Sequence, residues 1–386
     1  MEREKTLQVK EYCVLGKLPN PFIFNDGNQV SSEKCWEQRK KEIFHDCIEL
    51  QYGTLPPKPS FFRVEQLCQG KNHSSYKIYA GTEKQQVSFL VKIIMPKGKN
   101  RPMIIDGDMC AAYHMNEEFI NAALNLDIGW VLFDRTELAH DIPTEKRQSG
   151  ALYNVYPEYT FGALGAWAWG YSRCVDALES LNLQYVDLSC IAFTGHSRGG
   201  KAAMLAGTVD NRASIVNPNE ACLGGGGCYR IKMKGDYMSL PEWPSETLQD
   251  IWKDTSFWFG PDLEKYVDNE EKLPFDTHYQ KALIAPRILF VSEAAGDIWA
   301  NPVGSWMTTK AAEEVFKFLH AEKSLFWYFR EGTHYHTKQD VDMLVNIIAH
   351  VHDGVELNKD FFTLPFKEPD LIFDWVAPIN TTEDIL

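Results

Sequence analysis

The chain has 386 residues, of which 44% are hydrophobic, and a formal net charge of −14 at pH 7. This negative charge argues against a nucleic-acid partner or an anionic membrane, because recognition of phosphate depends on an excess of lysine and arginine. The length predicts one large core. We divide the chain into a main domain over residues 61–386, which contains this core, and an N-terminal extension over residues 1–60, which packs on it.

The first residues and the cysteines predict a cytoplasmic protein. Residues 1–5 are charged and lack the apolar segment of a secretory signal, and the sequence has no run of about eighteen apolar residues. The nine cysteines fit a reducing compartment better than a disulfide framework, because their number is odd. Cys222 and Cys228 are close together, but a glycine run and no paired histidine argue against zinc. We expect no metal and no cofactor.

The first part of the chain predicts one helix and then an antiparallel start to a sheet. Apolar residues recur near helical spacing only once in the proline-rich first sixty residues. The predicted elements are a helix over about 32–50, strands at 75–80 and 87–95, a buried strand at 103–108, a helix over about 116–126, and a buried strand at 129–134.

The remainder predicts alternating strands and helices. A long helix over 159–181 is followed by strands at 190–194, 214–216, 288–291 and 325–329. Such alternation is typical of an α/β fold with a mostly parallel central sheet and helices on both of its faces. Ligands bind such sheets at the carboxyl ends of the strands, so the loops after strands are the places to look for a site.

One of these loops carries the motif Gly195-His196-Ser197-Arg198-Gly199, between the apolar strand at 190–194 and an alanine-rich helical run at 201–207. A G-x-S-x-G turn between strand and helix holds a serine hydroxyl exposed beside a base. Ser197 is therefore the candidate nucleophile. The backbone N–H of Arg198 would lie at a helix start, where it can stabilise a developing oxyanion.

A serine nucleophile needs a histidine base, and in α/β-hydrolase order the base follows the last strand. The loop after the strand at 325–329 contains two histidines, His334 and His336. His334 directly follows a Gly-Thr turn and is our choice, and His336 is the competitor.

Two carboxylates compete to orient that histidine. Glu220 lies in the loop after the strand at 214–216, and Asp297 lies in the loop after the strand at 288–291. Both loops should open at the same edge of the sheet, so the sequence alone leaves both residues as candidates.

Several motifs together resemble those of the glucuronoyl esterases, a family of carbohydrate esterases with the α/β-hydrolase fold. The similar segments lie within roughly residues 100–350 and are 165–170, 195–201, 273–278 with 283–287, 297–302, and 330–334. The resemblance implies a serine hydrolase that cleaves esters between glucuronic acid and an alcohol. Residues 61–386 would then form the catalytic domain.

The resemblance also implies roles for individual residues. Ser197 is the nucleophile and His334 the base, while Glu220 and Asp297 occupy the acid positions of different members. The Arg198 side chain assists the oxyanion hole. Three residues are predicted to contact substrate: Lys201 at sugar hydroxyls, Trp299 at the sugar ring, and His278 within the matched segment 273–278. The sugar-contacting glutamine and glutamate of that family have no assigned counterpart in this sequence.

Three alternative functions differ in substrate or in class. The same serine and histidine could serve a sugar O-acetyl esterase or a hydrolase of small aryl esters, and a non-catalytic binding protein could retain the fold. A nicotinamide enzyme is disfavoured, because no G-x-G-x-x-G follows the first buried strand. The expected partner is a small-molecule or oligosaccharide ester.

Overall fold

The computed structural model describes residues 11–111, 117–144, 146–357 and 360–380. Residue 116 and residues 1–5, used in the predictions above, lie outside these ranges. The strands are β1 Glu11–Val14, β2 Phe61–Gln69, β3 His73–Gly81, β4 Gln86–Ile94, β5 Arg101–Asp106, β6 Gly129–Phe133, β7 Val186–His196, β8 Ile215–Asn219, β9 Ile231–Tyr237, β10 Leu240–Pro244, β11 Ile288–Ala294 and β12 Leu325–Arg330.

The helices follow in the same chain order. They are α1 Glu33–Ile43, α2 Leu50–Tyr52, α3 Glu117–Leu124, α4 Ala151–Val155, α5 Ala163–Leu181, α6 Arg198–Val209, α7 Leu248–Thr255, α8 Thr277–Ala282, α9 Pro302–Phe318 and α10 Lys338–Asp353. Over the described ranges, none of them combines the length and the apolar character needed to cross a bilayer.

A nine-stranded sheet in the order β12-β11-β8-β7-β5-β6-β4-β3-β2 forms the centre of the molecule. The six strands from β12 to β6 run parallel to one another, whereas β4, β3 and β2 add to the sheet by antiparallel pairing. The α/β-hydrolase fold class and the antiparallel opening are confirmed.

The central strand β7 shows why both faces of the sheet are covered. Ile191 and Phe193 join the hydrophobic cluster that contains α5 and α6, and Cys190 and Ala192 join the cluster that contains α3 and α10. Successive side chains of a strand point to opposite faces, so the uninterrupted apolar run of β7 is buried on both sides of the sheet.

The N-terminal segment packs on the larger of these clusters. Phe22, Trp36 and Tyr52 are fully buried there beside residues of α5. The predicted helix over 32–50 is present as α1, a π-helical stretch at Phe44–Glu49, and α2. The division of the chain at residue 60 stays a prediction.

Two local features differ from the predicted elements. The long helix α5 begins at Ala163 rather than at residue 159, because the preceding backbone is hydrogen-bonded elsewhere: the Gly162 N–H donates to the Tyr52 carbonyl at 3.0 Å. In addition, β1, β9 and β10 form a separate three-stranded antiparallel sheet that the sequence patterns did not predict.

Candidate active site

Ser197 lies at the turn between β7 and α6, at the carboxyl edge of the parallel strands. Its backbone has φ 57° and ψ −120°, a conformation that non-glycine residues rarely adopt and that is common at strained functional sites. Neighbouring backbone comes so close that a Cβ on Gly195 would lie 2.4 Å from the Gly199 carbonyl oxygen. The small residues of the motif are therefore required by the tightness of the turn.

Asp108, just after β5, is bonded to the backbone of this turn. The carboxylate is fully buried, accepts the backbone N–H of His196 at 2.9 Å, and forms an ion pair with Arg135. A Cβ on Gly199 would lie 2.1 Å from the same carboxylate. The last residue of the G-x-S-x-G motif, Gly199, must consequently be glycine for Asp108 to reach the turn.

His334 lies beside the serine. Its Nε2 atom is 2.9 Å from Ser197 Oγ, within hydrogen-bond distance of a base that accepts the hydroxyl proton. The loop that carries His334 is tied to the loop after β11, because Gly296 N donates to the Gly332 carbonyl at 3.0 Å and Ala295 N donates to the Arg330 carbonyl at 2.8 Å.

Both candidate carboxylates face the other nitrogen of His334, at different distances. Nδ1 lies 2.5 Å from Asp297 Oδ2 and 3.4 Å from Glu220 Oε2. Both acids are fully buried. Glu220 forms an ion pair with Arg330, which is also bonded to Asp340 at 2.9 Å.

The electrostatic environment also separates the two acids. Burial, and after it the negative charge of Asp297, raises the pKa of Glu220 well above its usual range, while Arg330 opposes the rise. The structure thus gives His334 one short hydrogen bond, to Asp297, and a second, longer contact to Glu220, which Arg330 also holds.

His196 packs against the His334 ring, and His336 packs against His196. The His336 ring stacks on His196 at 5.4 Å with an interplanar angle of 5° and also packs against Phe119. The His196 Nδ1 atom is 2.7 Å from Asn219 Oδ1. Burial, with the neighbouring His334, lowers the pKa of His196 to about 4, so this ring is neutral at pH 7. Of the two competing histidines, the structure places His334 at the serine.

A cleft of about 370 Å³ opens above Ser197 and His334. Arg198, Lys201 and Trp299, which the sequence proposed as oxyanion and substrate contacts, all line it. The other lining residues are Tyr237, Trp243, Glu246, Asp250, Ile251, Asp254, Thr255 and Trp258.

Lys201 is the most buried of the cations in the cleft, with 1% of its side chain exposed. Its ammonium donates to Glu246 Oε2 at 2.8 Å and to the Leu223 carbonyl at 2.7 Å. An ammonium has three donors, so one remains for a ligand hydroxyl. The Glu246 carboxylate, which lines the same cleft, supplies acceptors beside it.

The structure contradicts the predicted substrate contact of His278. This residue is on α8, fully buried and outside the residues that line the cleft. Its Nε2 atom is 2.8 Å from the Pro19 carbonyl oxygen, and its ring stacks on Trp375 at 5.8 Å. His278 therefore joins the terminal segments of the chain to the core and has no path to a ligand in the cleft.

Several residues of the cleft were missed by the sequence analysis. Glu246 and Trp258 carry no recognisable motif, and Tyr237 and Trp243 belong to the unpredicted small sheet. Asp141 was also missed; it contacts the cleft residue Arg198 at 3.2 Å, and the sequence carried one signal for it. It lies in the segment that follows β6, at the edge of the sheet where ligands bind.

Comparison with known proteins agrees with this geometry. The family described as "Glucuronyl esterase, fungi" matches residues 78–320. The chain belongs to this family. A glucuronoyl esterase relative from Podospora anserina, named 4-O-methyl-glucuronoyl methylesterase, is 31% identical over 330 residues, which are 84% of this chain and 64% of the relative. The chain therefore spans less than two thirds of that relative's length.

Solved structures of glucuronoyl esterases share the fold. A family 15 carbohydrate esterase from Caldicellulosiruptor kristjansonii superposes with a TM-score of 0.81 at 28% identity, covering 94% of this chain and 97% of its own. The glucuronoyl esterase catalytic domain of Hypocrea jecorina has a TM-score of 0.77 at 26% identity, covering 99% and 100%. The sheet and its flanking helices are thus those of the glucuronoyl esterases.

Proposed function

We propose that the protein hydrolyses an ester of glucuronic acid, or of a related carbohydrate acid, through an acyl-enzyme on Ser197. The observation that carries this proposal is the continuous chain Ser197 Oγ, His334 Nε2, His334 Nδ1 and Asp297 Oδ2, with distances of 2.9 and 2.5 Å. A nucleophile, its base and an orienting acid in hydrogen-bond reach are the arrangement that acyl transfer requires.

The reaction follows from these atoms. Ser197 Oγ attacks the ester carbonyl as its proton passes to His334 Nε2, and the resulting imidazolium is stabilised by the carboxylate at Nδ1. Collapse of the tetrahedral intermediate breaks the bond to the alcohol, which leaves with the proton from Nε2. Water then attacks the acyl-enzyme by the same route, which releases the acid and restores the serine.

The oxyanion is held at the start of α6. Backbone N–H groups of a first helical turn lack intrahelical acceptors, and Arg198 is the first residue of that helix. The Arg198 guanidinium lines the cleft next to Ser197 and adds positive charge where the oxyanion develops.

The substrate class rests on the family and on the cleft. The Podospora anserina relative is named as a 4-O-methyl-glucuronoyl methylesterase. In this chain, Lys201 and Glu246 offer a buried donor and acceptor for sugar hydroxyls, and Trp299 offers an aromatic face with an N–H. A small ester or an oligosaccharide ester of a uronic acid fits a cleft with these groups.

The test compares two esters. We expect turnover of benzyl glucuronate, measured as released benzyl alcohol, at a kcat/KM well above that for 4-nitrophenyl acetate. Turnover of the acetate alone would show a sugar O-acetyl or aryl esterase instead. Failure of a fluorophosphonate probe to label the parent protein at Ser197 would show a non-catalytic member of the family.

We also propose that the protein works in the cytoplasm. All nine cysteines are free thiols, and five of them are buried. Free thiols in this number are typical of a reducing compartment. Fractionation of the native cells tests this proposal, and enzyme found in the extracellular fraction would overturn it.

A further inference from the structure

Asp141 lies behind two residues that line the active-site cleft, Arg198 and Trp258, and bonds to three other side chains. Its Oδ1 atom accepts the indole N–H of Trp258 at 2.9 Å. Its Oδ2 atom accepts from Arg198 at 3.2 Å and from Arg135 at 3.3 Å. Only 13% of the Asp141 side chain is exposed, so this carboxylate bonds mainly to protein groups rather than to water.

The two arginines that meet at Asp141 each lie over a tryptophan. The Arg198 guanidinium is 4.9 Å from the Trp258 ring centre, and the Arg135 guanidinium is 4.8 Å from that of Trp167. The two indoles are in edge contact at 6.4 Å. Stacking fixes the plane of each guanidinium, and the carboxylate fixes the direction in which its N–H groups point.

The same network reaches the serine turn. Arg135 is 5% exposed and pairs with Asp108, which accepts the His196 N–H one residue before Ser197. Asp141 therefore connects two arginines. Arg135 is held to the serine turn through Asp108, whereas the Arg198 side chain is 46% exposed. Without a fixed partner, a half-exposed arginine would sample many rotamers.

Two other acids, Asp250 and Asp254, line the same cleft. Of these three carboxylates, it is Asp141 that the structure shows bonded to the Arg198 guanidinium.

We propose that Asp141 is a positioning residue for Arg198: it holds the guanidinium where the oxyanion of the ester forms. This inference rests on the proposed function, in which Arg198 assists the oxyanion. Asp141 acts through Arg198 and does not itself touch the reacting atoms.

The test is a double-mutant cycle on kcat. Asp141→Asn keeps the size and the acceptor for Trp258 but removes the charge, and we expect kcat to fall about tenfold with KM changed less than about threefold. In the Arg198→Ala background the same substitution should change kcat by less than about twofold, because the group it positions is gone. An equal loss in both backgrounds would overturn the inference, since a merely structural role does not depend on Arg198.

Two control variants accompany the cycle. Asp262→Asn, a matched change at an exposed surface pair with Lys265, should leave kcat unaltered. Asp141→Glu restores the charge and should recover most of the kcat. If Asp141→Asn does not fold, the cycle is run with Asp141→Glu instead. Its smaller loss of kcat must also vanish in the Arg198→Ala background.

Every rate is measured on 4-nitrophenyl acetate as well as benzyl glucuronate, because both esters pass through an oxyanion. Coupling on the acetate without uronate turnover would remove the proposed substrate and keep the inference. Turnover of the uronate ester without coupling between Asp141 and Arg198 would keep the proposed substrate and overturn the inference about Asp141.

Discussion

At the residue scale, the chemistry is decided by two buried carboxylates that share one imidazole nitrogen. Asp297 lies 2.5 Å from His334 Nδ1, whereas Glu220 lies 3.4 Å away and is held by Arg330. Burial and the negative charge of Asp297 raise the pKa of Glu220, and Arg330 opposes that rise. We infer that Asp297 orients the histidine and that Glu220 supports the site from a distance.

Asp297→Asn should therefore lower kcat by about 10³-fold or more, because an amide at Nδ1 no longer stabilises the imidazolium. Glu220→Gln should cost only about tenfold, since its hydrogen-bonding shape and its contact with Arg330 are largely retained. Steady-state kinetics on one ester decides between them. The reverse order of losses would make Glu220 the orienting acid.

The sequence could predict the serine and the histidine, but it could not choose between the acids. Ser197 and His334 follow from local patterns, a tight turn and a loop after the last strand. The choice between Glu220 and Asp297 depends on a difference of 0.9 Å between side chains that are 77 residues apart in the chain. His278 was misassigned because burial, which removes it from the cleft, has no signature in its local sequence.

At the element scale, the strand-to-helix turn is fixed by the close approach of Asp108, just after β5, to the start of α6. The carboxylate of Asp108 reaches the His196 N–H only because Gly199 has no side chain. The local sequence predicted both elements correctly, since strand and helix patterns are strong here. It did not predict the hairpin of β9 and β10, whose short, partly exposed strands carry Tyr237 and Trp243 to the cleft.

Gly199→Ala should disrupt this turn. The new methyl group would lie 2.1 Å from Asp108, so either the carboxylate or the helix must move. We expect a loss of about 2–3 kcal/mol in the free energy of unfolding, together with a large fall in kcat.

The matched control is Gly16→Ala, where an added methyl group meets nothing within 4 Å. Urea denaturation of the two variants makes the comparison. Equal stability of both would show that Asp108 does not constrain the turn.

At the scale of the whole molecule, two buried neutral histidines make stability depend on pH. Burial lowers the pKa of His196 and of His278 to about 4, whereas in the unfolded chain both titrate near the ordinary value of 6.5. The unfolded state then binds more protons than the folded state as the pH falls below 6.5. The stability that the two neutral histidines contribute is therefore complete above pH 6.5 and is lost as the pH falls to about 4. Each histidine should cost about 2 kcal/mol between pH 7.5 and 5.

His278→Gln removes one of these two titrations. The drop in unfolding free energy between pH 7.5 and 5 should be smaller by about 2 kcal/mol in this variant than in the parent protein. His73→Gln, at an exposed position, should leave the parent's drop unchanged. Denaturant unfolding at the two pH values measures all three proteins, and identical drops would show that His278 is not a buried neutral group.

The measurement that tests the account most directly is the hydrolysis of benzyl glucuronate by the parent protein and by Ser197→Ala, followed by chromatography of the released glucuronic acid. We predict multiple turnovers by the parent and a rate lowered by at least about 10³-fold in the variant. Equal rates for the two proteins, or no release of glucuronic acid by the parent, would contradict the assignment of Ser197 as the nucleophile of a uronate esterase.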